Sequence, residues 1–382
     1  MEKLFRLGLN ILFFIIFNSF FGCSRSTPPA KDFEHVVVDH NIIHTIHSSE
    51  LLQSYEYIAL ETLPNAIIGN VEKLKVFDDK LFVLSENQVF VYDFSGKLLF
   101  KIDKSGRGPG EYLKINNISL DSNILYIYDN VQYRILLFSA EDGQYLNTHT
   151  TLHSVKEMLF VDNYFFADRS MIPNRYIEGN ERLLVGKIEE QELITSLFFP
   201  MPTSESINDY RLESYDKQVF WIDPLYNKIY KLERNNLMPY IAYDFGSLNV
   251  PIDLTSGVGL TELGEEGKVF NLSNTYQNKK YMVSNIDYAN QSSLMVYDMN
   301  TGANTIYRHI NNHLYHSVPL VHAVYQDRFY KVVPAWEVIF MKENMKEKDY
   351  QLTDKMEGFD SYKIVNSRSE SDNPLIAIFK LK

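Results

Sequence analysis

Between positions 71 and 150, short apolar runs alternate with clusters of Asp, Asn and Gly, and the whole arrangement occurs twice. The first copy is VEKLKVFDDKLFVLSENQVFVYDFSGKLLFKI and the second is INNISLDSNILYIYDNVQYRILLFSAEDGQYLNTH. Each reads as an apolar strand, an Asp/Asn turn, a second strand (Leu81 to Leu84; Leu125 to Tyr128), a loop and a third strand (Val89 to Tyr92; Ile135 to Phe138). A glycine turn at Gly96 or Gly143 then leads to a fourth strand. Aromatic and β-branched runs bounded by turn formers are the signature of strands. An offset of about 44 to 47 residues lies in the range of propeller blades built from four strands.

The second strand of the unit returns as YFFA at Tyr164, VFWI at Val219, KYMV at Lys280 and RFYK at Arg328. The third strand and its turn return as LMVYDMNTG from Leu294, matching VFVYDFSG from Val89. Six units predict an all-β fold, a six-bladed β-propeller of four-stranded antiparallel blades. Insertions such as IPNRYIEGN and SLNVPIDLTSGVG lengthen the later blades. A pair of β-sandwiches competes with this reading but does not explain why one four-strand pattern keeps returning. A ring of blades must close, and apolar strands stand at both ends of the body, in YEYIALET and NPLIAIFKLK. Pairing of these N- and C-terminal strands is expected to complete the last blade and cover two edges at once. A short helix is expected at SSELLQ, with Ser48 or Ser49 as its cap.

The chain starts differently. Lys3 and Arg6 precede an apolar run from Leu7 to Phe21, followed by GCSRSTPP. A basic start, an apolar run and a small residue before the break describe a secretory signal. The competing reading is a membrane-spanning anchor, but the run is short of the roughly 20 apolar residues a span needs, and Asn10 and Asn18 interrupt it. The expected organisation is a signal peptide over 1–22, a tether and lead-in segment over 23–47, and the propeller over 48–382. The tether SRSTPPAKD is rich in Ser and Pro and has no core of its own.

Composition agrees with β structure: 26 Tyr and 25 Phe among 382 residues suit a pleated, half-buried surface. The net charge of −12 argues against nucleic acid, where a basic footprint is expected, and against docking on an anionic membrane through charge alone. One cysteine, Cys23, leaves no intramolecular disulfide.

Two resemblances follow from these residues. Cys23 directly after Gly22 resembles the lipobox of bacterial lipoproteins, although Phe20 and Phe21 stand where Leu and a small residue are usual. It implies acylation of Cys23 and a membrane attachment through lipid. The stretch GRGPGEYLKINNISLDSNILYIYDNVQYRILLF is similar to NHL-type repeats. With YIALET, WIDPLYNKIYKL and DNPLIAIFKLK, nearly the full mature length resembles the six-bladed β-propeller lipoproteins common in gut Gram-negative anaerobes. That family implies a fold and an address in the cell envelope, at the outer membrane, but no established activity. In gut Gram-negative anaerobes, surface-exported lipoproteins often carry an acidic run right after the Cys. SRSTPPAKD lacks one, which favours the periplasmic face.

The glycine-rich GRGPGEY is the obvious candidate for chemistry. A dinucleotide fingerprint opens a helix whose N–H groups hold the pyrophosphate. Here the loop leads into EYLKINNISLD, which alternates as a strand, and Pro109 removes a donor. The expected role is therefore a crossing between the first two blades, with no nucleotide and no cofactor. Such a crossing is expected near the channel mouth, which makes Arg107, Glu111 and Tyr112 the candidate binding residues; the alternative is that Arg107 and Glu111 merely pair with each other.

His309, His313 and His316 share a spacing with His40, His44 and His47, and both sets read as structural or surface histidines rather than a metal site. No Gly-x-Ser-x-Gly is present, and the carboxylates are scattered over turns, so no catalytic residue is assigned. Trp221 and Trp336 read as core or channel-wall residues, either able to stack on a sugar. The function expected is a binding or scaffold module for a protein or glycan partner in the envelope. The alternative is a channel-site enzyme: a metal-dependent lactonase, a lyase or a sugar-cleaving enzyme.

Overall fold

The computed structural model describes residues 32–38, 42–151, 154–169, 181–188, 192–198, 212–223, 225–234, 236–251, 260–270, 272–288, 291–311, 316–317, 320–347 and 359–382. The chain opens with β1 (Glu34–Val37), β2 (Ile42–His47), α1 (Ser48–Leu51) and β3 (Leu52–Ala59). Blade 1 is β4 to β7 (Val71–Phe77, Lys80–Ser85, Gln88–Asp93, Leu98–Ile102). Blade 2 is β8 to β11 (Asn117–Asp121, Ile124–Asp129, Arg134–Ser139, Tyr145–Thr150). Blade 3 is β12 to β15 (Glu157–Val161, Tyr164–Asp168, Glu181–Lys187, Glu192–Phe198). Blade 4 is β16 to β19 (Leu212–Tyr215, Gln218–Asp223, Lys228–Glu233, Asn236–Asp244). After α2 (Leu260–Glu265), blade 5 is β20 to β23 (Ser273–Gln277, Tyr281–Tyr288, Gln291–Asp298, Asn304–Asn311), with β24 (His316–Ser317) paired to β23. Blade 6 begins with β25 and β26 (Ala323–Tyr325, Arg328–Val333), passes through α3 (Ala335–Glu347) and α4 (Phe359–Ser367), and resumes with β27 (Leu375–Leu381).

The expected six-bladed propeller is the observed fold. Its closure is also as expected: β3 is the outer strand of blade 6, antiparallel to β27 from Leu375↔Ala59 to Leu381↔Leu52. The first hairpin of blades 1 to 4 turns through Asp78-Asp79, Ser122-Asn123, Asp162-Asn163 and Asp216-Lys217, both residues of each pair having positive φ. That geometry matches the right-handed twist of the flanking strands and favours Asn and Asp. Gly96, Gly143 and Gly302 hold the third-to-fourth-strand turns of blades 1, 2 and 5, all with positive φ.

Among the described residues, six hydrophobic clusters lie between neighbouring blades, one at each junction. Blades 1 and 2 bury Phe82, Leu84, Ile118 and Ile127 against each other, and blades 3 and 4 bury Leu183, Val185, Val219 and Trp221. Blades 6 and 1 share Leu81, Val83, Tyr330 and Ile376. Each blade is apolar on both faces, so its two middle strands read as continuous hydrophobic runs rather than alternating ones. A blade therefore stands only by its neighbours.

Four features differ from the sequence-based expectations. Residues 34–47, within the stretch read as tether and lead-in, carry two strands. β1 adds in parallel to the outer strand of blade 4 (Glu34↔Ile241 to Val37↔Asp244) and β2 to that of blade 5 (Ile42↔Ile306 to His47↔Asn311). The short helix α1 is capped by His47, whose side chain accepts from Ser49 N–H while Glu50 reaches back to the cap backbone. The helices α3 and α4 interrupt blade 6 and bury Val338, Met341 and Val365 against Tyr57 and Leu375. Trp336 is neither core nor channel wall: it is 70% exposed on α3, because the helix turns Val338 and Met341 inward instead. Trp221 is a core residue, fully buried, with its indole N–H donating to Asp168 at 2.8 Å. His40 and His313 lie outside the described residues, and His44 and His309 are exposed on β2 and β23.

Candidate functional site

The loop GRGPGEY joins blade 1 to blade 2, as expected of a seam. Its geometry is fixed by its own residues. Gly106 N–H donates to Tyr112 C=O (2.9 Å) and Tyr112 N–H to Lys104 C=O (3.0 Å). Tyr112 is buried. Its hydroxyl donates to Ile102 C=O (3.1 Å) and accepts Lys104 N–H (3.2 Å), and burial pushes its pKa up to about 12. The Glu111 carboxylate accepts Gly108 N–H at 2.7 Å. Gly110 has φ +73°, and a Cβ there would lie 2.9 Å from the Tyr145 ring, so both conformation and space require glycine.

The loop docks on the second-to-third-strand end of blade 2. Asp129 there accepts Leu113 N–H (2.7 Å), and Gln132 donates to Gly106 C=O (3.1 Å). Arg107 is exposed, and its carbonyl accepts from Arg134 on β10, the third strand of the blade, at 3.3 Å. Arg107 therefore sits over the body of blade 2 rather than over the inner strands that line the channel. Glu111 and Tyr112 are close to it, but their polar groups hold the loop together. Cys23 lies outside the described residues.

The channel is built by the first strand of every blade: β4, β8, β12, β16, β20 and β25 neighbour one another in that cyclic order. Two lysines on β4 face inward at alternate positions. Lys73 meets Glu157 of blade 3 at 2.8 Å, and both side chains are sealed (6% and 2% exposed). The other oxygen of Glu157 accepts Leu212 N–H from blade 4 at 2.9 Å. Lys75 crosses to Glu213 of blade 4, the blade opposite, and contacts both carboxylate oxygens at 3.1 and 3.0 Å. Burial holds the Lys75 ammonium below the usual lysine range, an effect opposed by Glu213 and reinforced by Lys73. These two pairs stitch three inner strands, β4, β12 and β16, across the axis. Sequence reasoning missed them. The signal was present: charged residues in the first strand of a blade have only the channel to face, and VEKLKVF carries two at a spacing of two.

Above the Lys75–Glu213 pair lies a cavity of about 310 Å³ at the end of the channel formed by the first hairpin turns. All six inner strands reach it. Phe77, Tyr215, Tyr276 and Tyr325 form an aromatic arc over blades 1, 4, 5 and 6, while Ser119, Leu120 and Leu159 come from blades 2 and 3. The Tyr276 hydroxyl donates to His322 C=O at 2.7 Å. Ser119 Oγ accepts Phe160 N–H at 3.1 Å and keeps its own proton to donate. At the rim, Lys217 pairs with Asp162 at 2.7 Å. Among the described residues, no three His, Cys, Asp or Glu side chains converge as a metal site.

A family model described as a domain of unknown function (DUF4934) matches residues 34–380. No curated protein matches the sequence. Among solved structures the chain is similar to a protein from Bacteroides fragilis described as exported, at 15% identity and a TM-score of 0.71, over 91% of this chain and 99% of that one. It is also similar to a member of the DUF4221 family from Bacteroides vulgatus, at 10% identity and a TM-score of 0.50, over 87% and 97%. At these identities the likeness concerns the fold.

Proposed function

The chain belongs to the family described as a domain of unknown function (DUF4934), and for this member we propose an NHL-like propeller lipoprotein of the cell envelope that binds a protein or glycan partner at its channel mouth. The observation that carries the proposal is the cavity itself: an aromatic arc drawn from four blades above a floor of already paired charge. Ligand sites are concave and largely apolar, with a few placed polar groups, and the inner strands supply that arrangement at one end of the axis. The axial carboxylates Glu157 and Glu213 are held by lysines, an arrangement suited to a rigid binding floor rather than to proton transfer. Attachment through an acylated Cys23, at the outer membrane and on its periplasmic face, belongs to the same proposal, as does a second contact through exposed Arg107 on the blade 2 end. The exported description of the Bacteroides fragilis neighbour supports the envelope address.

The test is a capture of envelope proteins and glycans on the mature protein, run in parallel with Tyr325→Ala at the channel mouth and Arg107→Ala on the seam loop. The proposal expects Tyr325→Ala to lose the captured partner while keeping the wild-type melting temperature. A partner retained by Tyr325→Ala would move binding away from the channel. Cys23→Ala should release the protein from membranes or leave it unprocessed; unchanged fractionation and maturation would refute the anchor.

A further inference from the structure

We infer that the channel cavity takes the end of a neutral oligosaccharide chain. The inference rests on the binding reading given above and narrows it to one ligand class. The first ground is charge. The floor carries one cation and one anion, Lys75 and Glu213, in contact through both carboxylate oxygens and only 16% and 13% exposed; the other charge of the lining is the carboxylate of Asp216, exposed at the first turn of blade 4. At the floor a ligand with a net charge of either sign meets a like charge beside the opposite one, and an anion meets Asp216 as well, so its own desolvation goes uncompensated. A peptide C-terminus and a nucleotide are both disfavoured on this ground. A neutral polyol leaves the pair intact, and its hydroxyl oxygens accept from the ammonium N–H that Glu213 does not occupy.

The second ground is the lining. The Ser119 hydroxyl is free to donate, and Gln326 stands at the turn between the first two strands of blade 6. Between these polar groups lie the rings of Phe77, Tyr215 and Tyr325 and the side chains of Val76, Leu120 and Val324. A sugar ring presents the same alternation, hydroxyls at its edge and C–H groups on its faces, and the tyrosines match it with an apolar body and a polar tip. The third ground is size. A volume of about 310 Å³ falls at the small end of ligand sites. It admits the end of a chain and leaves the remainder to run out over the turns of the rim.

The experiment is a printed array of neutral and uronate-containing oligosaccharides probed with the full-length protein in detergent. Titration calorimetry on the neutral oligosaccharide that binds best and on its uronate-containing counterpart follows. Neutral oligosaccharides should bind, and the uronate counterpart should bind at least about tenfold more weakly. Tyr325→Ala should weaken the neutral ligand about tenfold, and Ser371→Ala, exposed and outside the cavity lining, should leave it unchanged. Should Tyr325→Ala unfold, Gln326→Ala, on the exposed turn, serves in its place with the same direction expected. Binding of charged oligosaccharides alone overturns the inference. So does an envelope protein captured in a Tyr325-dependent manner with an array left blank, which keeps the binding reading and removes the saccharide. No ligand and no Tyr325-dependent partner removes both.

Discussion

Asn373, just before β27, offers the sharpest test of how the ring is closed. Its side chain is 1% exposed and its carboxamide is fully used. Oδ1 accepts Ile68 N–H at 2.7 Å. Nδ2 donates to Glu61 C=O and Ala66 C=O, each at 2.8 Å, and approaches the Tyr92 hydroxyl at 3.3 Å. The residue thus ties the start of the C-terminal strand to the segment that leaves β3 for blade 1. Asn373→Ala strands the buried Ile68 N–H and Ala66 C=O. Each orphaned buried group costs about 1–3 kcal/mol, and the vacated space adds a cavity contribution, so the expected loss is about 4 kcal/mol. For a cooperative unit of this length that is a fall of roughly 5 °C in Tm. Asn373→Asp should do at least as much harm, because a carboxylate cannot donate to the two carbonyls and is itself buried. Urea unfolding followed by tryptophan fluorescence measures the loss, with exposed Ser371→Ala as a control expected within about 0.5 kcal/mol of wild type. A loss below about 1 kcal/mol for Asn373→Ala, at unchanged m, would refute the clamp.

Gly96 and Gly302 share a positive φ but not their surroundings: a Cβ at Gly96 would lie 2.0 Å from Ala59 C=O, and one at Gly302 meets nothing within 4 Å. Gly302→Ala should cost only the left-handed penalty of about 1–2 kcal/mol and Gly96→Ala distinctly more, both read by urea unfolding. Lys75→Met leaves Glu213 unpaired and should destabilise by less than the ~3–5 kcal/mol of a fully sealed pair; adding Glu213→Gln should recover most of it in a double-mutant cycle. Burial, with Lys331 nearby, pushes the His322 pKa down to about 4, and its Nδ1 accepts Val332 N–H at 3.2 Å. The fold therefore favours neutral His322, and this stability is present above the ordinary histidine pKa and lost as pH falls from about 6.5 toward 4. His322→Asn should flatten that part of the stability–pH profile, and an identical slope in variant and wild type would contradict the assignment.

The blades were legible because their information is local. The pairs Asp78-Asp79 and Asp162-Asn163 announce tight turns, and the runs between them announce strands buried on both faces. The closing strands were legible because NPLIAIFKLK and YEYIALET are apolar edges that need a partner. β1 and β2 were not, since HVVVDHNIIHTIH carries no turn that points to blades 4 and 5; only pairing across the chain identifies its place. The helices α3 and α4 were also missed, because AWEVIFMKENMKE follows directly on a strand and its apolar residues lack a clean period. GRGPGEY was read correctly as a seam, but its distance from the axis depends on Asp129 and Gln132, which dock it on blade 2. The channel floor needed three blades at once: Lys73 and Lys75 look like solvent-facing strand residues until Glu157 and Glu213 are brought opposite them.

The order in which the ring is completed follows from the strands at its outer edge. Glu34 meets Tyr297 across 263 positions, and Glu61 meets Asn373 across 312. A chain delivered from its N-terminus exposes β1, β2 and β3 first and supplies their partners last. Contacts of such sequence separation form slowly, and until they form, the outer edges of three blades stand open to pairing with other chains. Blades 1 to 3 have all their strands by residue 198 and can assemble early. Blades 4 to 6 wait for segments made long before them, so the slow step in reaching the native ring is the return of the oldest part of the chain to the newest.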